Sequence, residues 1–131
     1  MQTSKDHEFL VKELIDYFLK KGLEVPLANH PGYSKPGRIK RHPPDVMAID
    51  RTNGLVYIGS VKTCNEFSDQ ITREEFEDFP RRLSKTQDSA KVRIPFYIGV
   101  PENCQSKVKE IFNKFEIPWR ENIKVVGFQQ K

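Results

Sequence analysis

Asp45, Ser60 and Lys62 sit at the ends of two mostly apolar runs, "DVMAID" and "LVYIGSVK", joined by "RTNG". A carboxylate is a hard oxygen ligand for divalent cations, and an ammonium offsets negative charge developing on a reacting group. Placed side by side at the end of a hairpin, the same two groups can also form a plain cross-strand ion pair. If exposed, such a pair stabilises by well under about 1 kcal/mol. The choice between these readings depends on which elements carry the three residues.

Asn53-Gly54 is a strong hairpin signal because both residues tolerate positive φ. Side chains alternate along a strand, so Ser60 and Lys62 share a face with Val56 and Ile58, and Asp45 shares one with Met47 and Ile49. A two-residue loop places Asp45 opposite Lys62, and a four-residue loop places it opposite Ser60; either even-length loop gathers all three on one face. Before the hairpin, "HEFLVKELIDYFLKK" (His7 to Lys21) reads as an amphipathic helix with Leu10, Val11, Leu14, Ile15, Phe18 and Leu19 on one side and Gly22 as its stop. A strand, Leu23 to Ala28, and a Gly/Pro-rich basic loop follow.

After the hairpin, Ser68 to Leu83 reads as a helix with Phe76, Phe79 and Leu83 on its buried side, kinked or shortened by Pro80. Val92 to Val100 reads as a strand made irregular by Pro95. Cys104 to Phe115 reads as a helix and Ile123 to Phe128 as the last strand. The order α-β-β-β-α-β-α-β predicts one α/β domain over 1–131, a mixed β-sheet flanked by helices, with the later strands added in parallel.

This arrangement, with a leading helix, a hairpin, Pro44-Asp45 opening one strand and Ser60-Val61-Lys62 closing the next, resembles the PD-(D/E)XK nuclease superfamily of restriction endonucleases, junction resolvases and repair nucleases. Sixteen residues separate Asp45 from Lys62. The resemblance implies a restriction-endonuclease-like fold and metal-dependent hydrolysis of DNA. It implies Mg2+ or Mn2+ held by Asp45, a second carboxylate and the Val61 carbonyl, and Lys62 beside the attacking water. Glu8, on the first helix, is implied in the metal's water shell; its alternative role is negative charge in a first helical turn.

Ser60 departs from the family pattern, which has an acid at that position. A divalent cation that activates water commonly takes one or two carboxylates, and a hydroxyl neutral at pH 7 is a poor substitute. One subgroup of restriction endonucleases shares Ser-Val-Lys and draws its second carboxylate from the following helix. Here that helix offers Glu74, Glu75 and Glu77, at twelve, thirteen and fifteen residues past Lys62, none matching the subgroup spacing outright. Glu75 lies about 70° from the centre of the buried face and the other two point well away, using 3.6 residues per turn. Its competing role is as partner of Thr72 in a capping box. Loss of activity, leaving a nuclease-like protein that binds nucleic acid or another protein, is the alternative outcome.

Lys35, Arg38, Lys40 and Arg41 precede the hairpin in a flexible loop that could grip phosphates or simply be solvated. Arg81, Arg82 and Lys85 form a second basic group. With 22 Lys and Arg against 18 Asp and Glu, the net charge is +4 and the pI about 9.1, which fits a polyanionic partner such as DNA. Symmetric cutting of two strands makes a homodimer a candidate assembly. Cys64 and Cys104 lack metal-ligand spacing and read as reduced thiols, and His7, His30 and His42 read as scattered surface residues. Together with the lack of a signal-peptide pattern or a bilayer-length apolar run, these features predict a cytoplasmic protein.

Overall fold

The computed structural model describes residues 5–85 and 91–129. It is a mixed α/β structure in which helices flank a five-stranded sheet. Helix α1 (Lys5–Lys20) is followed by β1 (Glu24–Ala28), β2 (Val46–Ile49), β3 (Val56–Val61) and α2 (Gln70–Asp78). The short strands β4 (Leu83–Lys85) and β5 (Lys91–Arg93), then β6 (Phe96–Pro101), α3 (Lys107–Lys114) and β7 (Ile123–Phe128), complete the chain. The sheet order is β1-β2-β3-β6-β7; β1, β2 and β3 run antiparallel in turn, and β6 and β7 add in parallel.

Strand alternation divides the core in two. Val46, Ala48, Val61 and Tyr97 face α1 and meet Leu10, Val11, Leu14 and Phe18. Ile58, Phe96, Ile98 and Val100 point the other way and meet Phe76, Phe79, Val108 and Phe112 of the α2 and α3 side. Residues one apart on β3 therefore serve different layers, and Ser60 and Lys62 belong to the layer that holds α2. Gly59 allows α1 to approach, because a Cβ built there would lie 2.5 Å from Leu14 Cδ2 and 3.3 Å from Phe18 Cε2.

The hairpin closes in the four-residue register: Val46 pairs with Gly59 and Ile49 with Val56, and the Asp50 N–H donates to the Leu55 carbonyl. Gly54 takes φ 77°, the conformation for which a glycine is favoured. Gly22, at φ 87°, ends α1 in the same way.

Three local expectations are corrected. The strand expected over Val92 to Val100 is two strands: Pro95 lacks an N–H to donate, so β5 peels away before β6 and pairs with β4 in a separate two-stranded ribbon. The helix expected over Ser68 to Leu83 is α2 plus a single 3-10 turn, Phe79–Arg81, with Pro80 inside it. Leu83 belongs to the ribbon and is 51% exposed. Leu19, expected on the buried side of the first helix, is also exposed; it lies at the flank of the stripe.

Cys64 and Cys104 are not free thiols but are joined in a disulfide with Cα atoms 6.1 Å apart. Cys64 begins the 3-10 turn Cys64–Glu66 just after β3, and Cys104 ends the turn Glu102–Cys104 just after β6. Parallel pairing of β3 with β6 brings these two exits together, although 40 positions separate them in sequence. The cytoplasmic expectation rested partly on unpaired cysteines and loses that support. No helix among the described residues is long and apolar enough to cross a membrane.

Candidate active site

Ser60 and Lys62 are both buried, and each must find a partner in the layer it faces. They find the same one. Ser60 Oγ donates to Glu75 Oε1 at 2.8 Å, and Lys62 Nζ lies 3.2 Å from that oxygen. Glu75 comes from the middle of α2, on the side adjoining Phe76, and is only 6% exposed. Glu75, the acid nearest the buried face by helical phase, is the one whose side chain reaches the hairpin. The capping alternative does not occur: α2 starts at Gln70, and the Thr72 hydroxyl donates to the Glu66 carbonyl at 2.6 Å.

Asp45 lies where the hairpin ladder ends. Its Oδ2 accepts the Val61 N–H at 2.8 Å, which fixes the carboxylate against the strand carrying Ser60 and Lys62. Its Oδ1 lies 3.3 Å from His7 Nε2, and His7 Nδ1 lies 3.3 Å from Glu66 Oε1. Glu66 in turn accepts the Thr63 N–H at 2.7 Å. Asp45 and Lys62 do not pair with each other, so a simple cross-strand ion pair is not what brings them here.

Electrostatics follow from this packing. Burial pushes the Glu75 carboxyl above its ordinary range; the Lys62 charge opposes that shift, and the Asp45 charge adds to it. Burial works against the charged form of His7, yet its hydrogen bonds to Asp45 and Glu66, helped by both charges, raise it to about 9. Burial likewise works against ionised Glu66, but His7 and the Thr63 N–H bring it down to about 2. Asp45, Glu66 and Glu75 thus gather around His7 and Lys62 at the ends of β2 and β3.

His7 and Glu66 were not among the expected residues. Both left a signal in the sequence: His7 stands three, four and seven places before Leu10, Val11 and Leu14, in line with the buried stripe, and Thr63-x-x-Glu66 has the capping-box pattern. Glu8, by contrast, is exposed on α1. Of the basic loop, Lys35, Arg38 and Lys40 are exposed. Arg41 forks onto Asp78, with Nε to Oδ2 at 3.0 Å and Nη2 to Oδ1 at 2.7 Å, and reaches Glu77 at 3.0 Å. His42 Nε2 meets Glu74 Oε1 at 2.7 Å. These contacts fasten the loop to α2 and so help hold Glu75 in place.

Carboxylate and carbonyl oxygens are the donor types a hard divalent cation takes. Asp45 and Glu75 offer carboxylate oxygens on one side of the hairpin, and Glu75 Oε2 takes no part in the bonds to Ser60 and Lys62. Val61, whose N–H holds Asp45, supplies the nearby carbonyl. Mg2+ commonly takes one or two carboxylates and completes its shell with water and phosphate oxygens. No group of three or more His, Cys, Asp or Glu side chains suited to a metal ion occurs among the described residues, so the ion's remaining ligands would be of that second kind. Comparison with family models, curated proteins and solved structures finds no match to this chain.

Proposed function

We propose that this protein is a metal-dependent deoxyribonuclease with a restriction-endonuclease-like fold, hydrolysing phosphodiester bonds of DNA. The observation that carries the reading is Glu75, an acid delivered from α2 to the side chain of Ser60, where this chain lacks the acid of the PD-(D/E)XK pattern. A bound Mg2+ or Mn2+ would polarise the phosphoryl oxygen and lower the pKa of the attacking water. Asp45, Glu75 and the Val61 carbonyl are the groups to hold it. The Val61 N–H sets the direction of Asp45, Ser60 sets that of Glu75, and Lys62 offers positive charge to the phosphate. A homodimer would present two such sites to opposite strands.

The test is incubation with supercoiled plasmid, branched DNA and RNA in Mg2+ or Mn2+, alongside Asp45→Ala, Lys62→Ala and Glu75→Ala. Cleavage of DNA by the wild type alone is expected. Equal cleavage by all four proteins would mean a contaminant. One observation favours a second reading, a nuclease-like binding protein without chemistry: Lys62 is 5% exposed and ion-paired to Glu75, an arrangement also suited to a static core. DNA binding without cleavage in either metal identifies that case.

A further inference from the structure

We propose that a groove of about 450 Å3 between the 33–42 loop and the β4–β5 ribbon binds one nucleotide of a nucleic-acid strand whose reacting phosphate lies at Asp45. The proposal rests on the nuclease reading for its substrate class. The buried or half-buried side chains of Ile39, Met47, Val56 and Ile94 form the floor, and the exposed Arg38 and Arg82 stand at the rim.

Three observations assign this chemistry. Arg38 and Arg82, like Arg81, Arg93 and Arg120, have no ion-pair partner among the described residues, and they are the two of these five that line this groove. Among the described residues no carboxylate lines the groove. Leu83, one of the large apolar side chains left exposed, lies on its wall. An apolar floor between two unpaired guanidiniums suits a flat base flanked by phosphates, since arginine both stacks on planar rings and forks onto phosphate oxygens.

The location relates the groove to the candidate active site. Met47 and Val56 lie on the strand face that carries Ser60 and Lys62, and Val56 precedes Ser60 by four residues, about 13 Å at ~3.3 Å per residue. Met47, which also lines the groove, is two residues from Asp45, about 7 Å, so the groove lies about two to four nucleotides of rise from the site at ~3.4 Å each.

The experiment measures anisotropy of a short fluorescein-labelled single strand, and of its duplex, in EDTA so that no cleavage occurs, as a function of salt. Arg38→Ala and Arg82→Ala should each weaken binding of the single strand about fivefold or more and flatten the slope of log affinity against log salt by about 0.7. Leu83→Asp, at an exposed position, should weaken it too, with thermal melts matching the wild type. Binding by these variants equal to wild type, absence of binding, or competition by polyglutamate as strong as by unlabelled oligonucleotide would overturn the proposal. Binding through both arginines without cleavage in Mn2+ sustains the groove and removes the nuclease reading. Cleavage with arginine variants that bind normally does the reverse.

Discussion

Ser60 Oγ donates to Glu75 Oε1 across fifteen positions of sequence, and the same oxygen receives Lys62 Nζ. One carboxylate atom thus joins the end of β3 to α2. Removing it does two things at once. Glu75→Ala leaves the buried Lys62 without its counter-charge and should cost about 3–5 kcal/mol, more than loss of a cap would, and should abolish cleavage. Ser60→Ala removes only a bond to a charged group and should cost about 1.5–3 kcal/mol. Urea unfolding measures both, and a Glu75→Ala protein as stable as wild type would refute the shared-oxygen arrangement.

The His7 contacts predict a pH profile. His7 is raised from 6.5 to about 9, so its contribution is fully present below 6.5 and is lost as pH rises through about 9. Glu66 is lowered from 4.5 to about 2, so its contribution is present above 4.5 and is lost as pH falls through about 2. Urea midpoints in EDTA should be level between 4.5 and 6.5 as far as this pair is concerned and decline on either side. His7→Gln should lower the midpoint at pH 6 and flatten the alkaline limb. An unchanged alkaline limb in that variant would count against the assignment.

The disulfide predicts no free thiol in the unreduced protein. Closing a loop between positions 40 apart, it should contribute about 2–4 kcal/mol. Cys64→Ser removes the bond at an exposed position, and Cys104→Ser should lose more, because it also places a hydroxyl in the apolar core. Thiol titration under denaturing conditions, followed by melts with and without reductant, decides it; two titratable thiols before reduction would exclude the pairing.

Gly59 predicts a steric coupling between sheet and helix. An alanine Cβ would press on Leu14, which is fully buried and has little room to turn. Gly59→Ala should cost about 1–3 kcal/mol, and Leu14→Ala about 2–5 kcal/mol. The double variant should cost clearly less than the sum, because the shortened leucine makes room for the new methyl. Strict additivity in denaturation experiments would show that the two positions do not touch.

How far the sequence disclosed this arrangement depended on the range of each interaction. The Asn53-Gly54 turn and the stripe on α1 are set by neighbours a few residues apart, and both formed where the spacing predicted, except for Leu19 at the stripe's edge. Glu75 was found because helical phase carries information over one or two turns. His7, Glu66 and the Cys64–Cys104 bond were missed because each depends on elements meeting in space: the start of α1 against the hairpin, and the exits of two parallel strands side by side. The β4–β5 ribbon was missed because Pro95 reads equally as an irregular strand or as a break, and only pairing with β4 decides.

The position of the acid on a helix, not on the hairpin, has a consequence for assembly. A chain whose five strands had already associated while α2 was still loose would have its lysine and serine in place and nothing to balance them. If the protein is the nuclease proposed above, cleavage would then arrive last, with the docking of one nine-residue segment, and any influence that loosens that segment would silence it while leaving its β-structure standing.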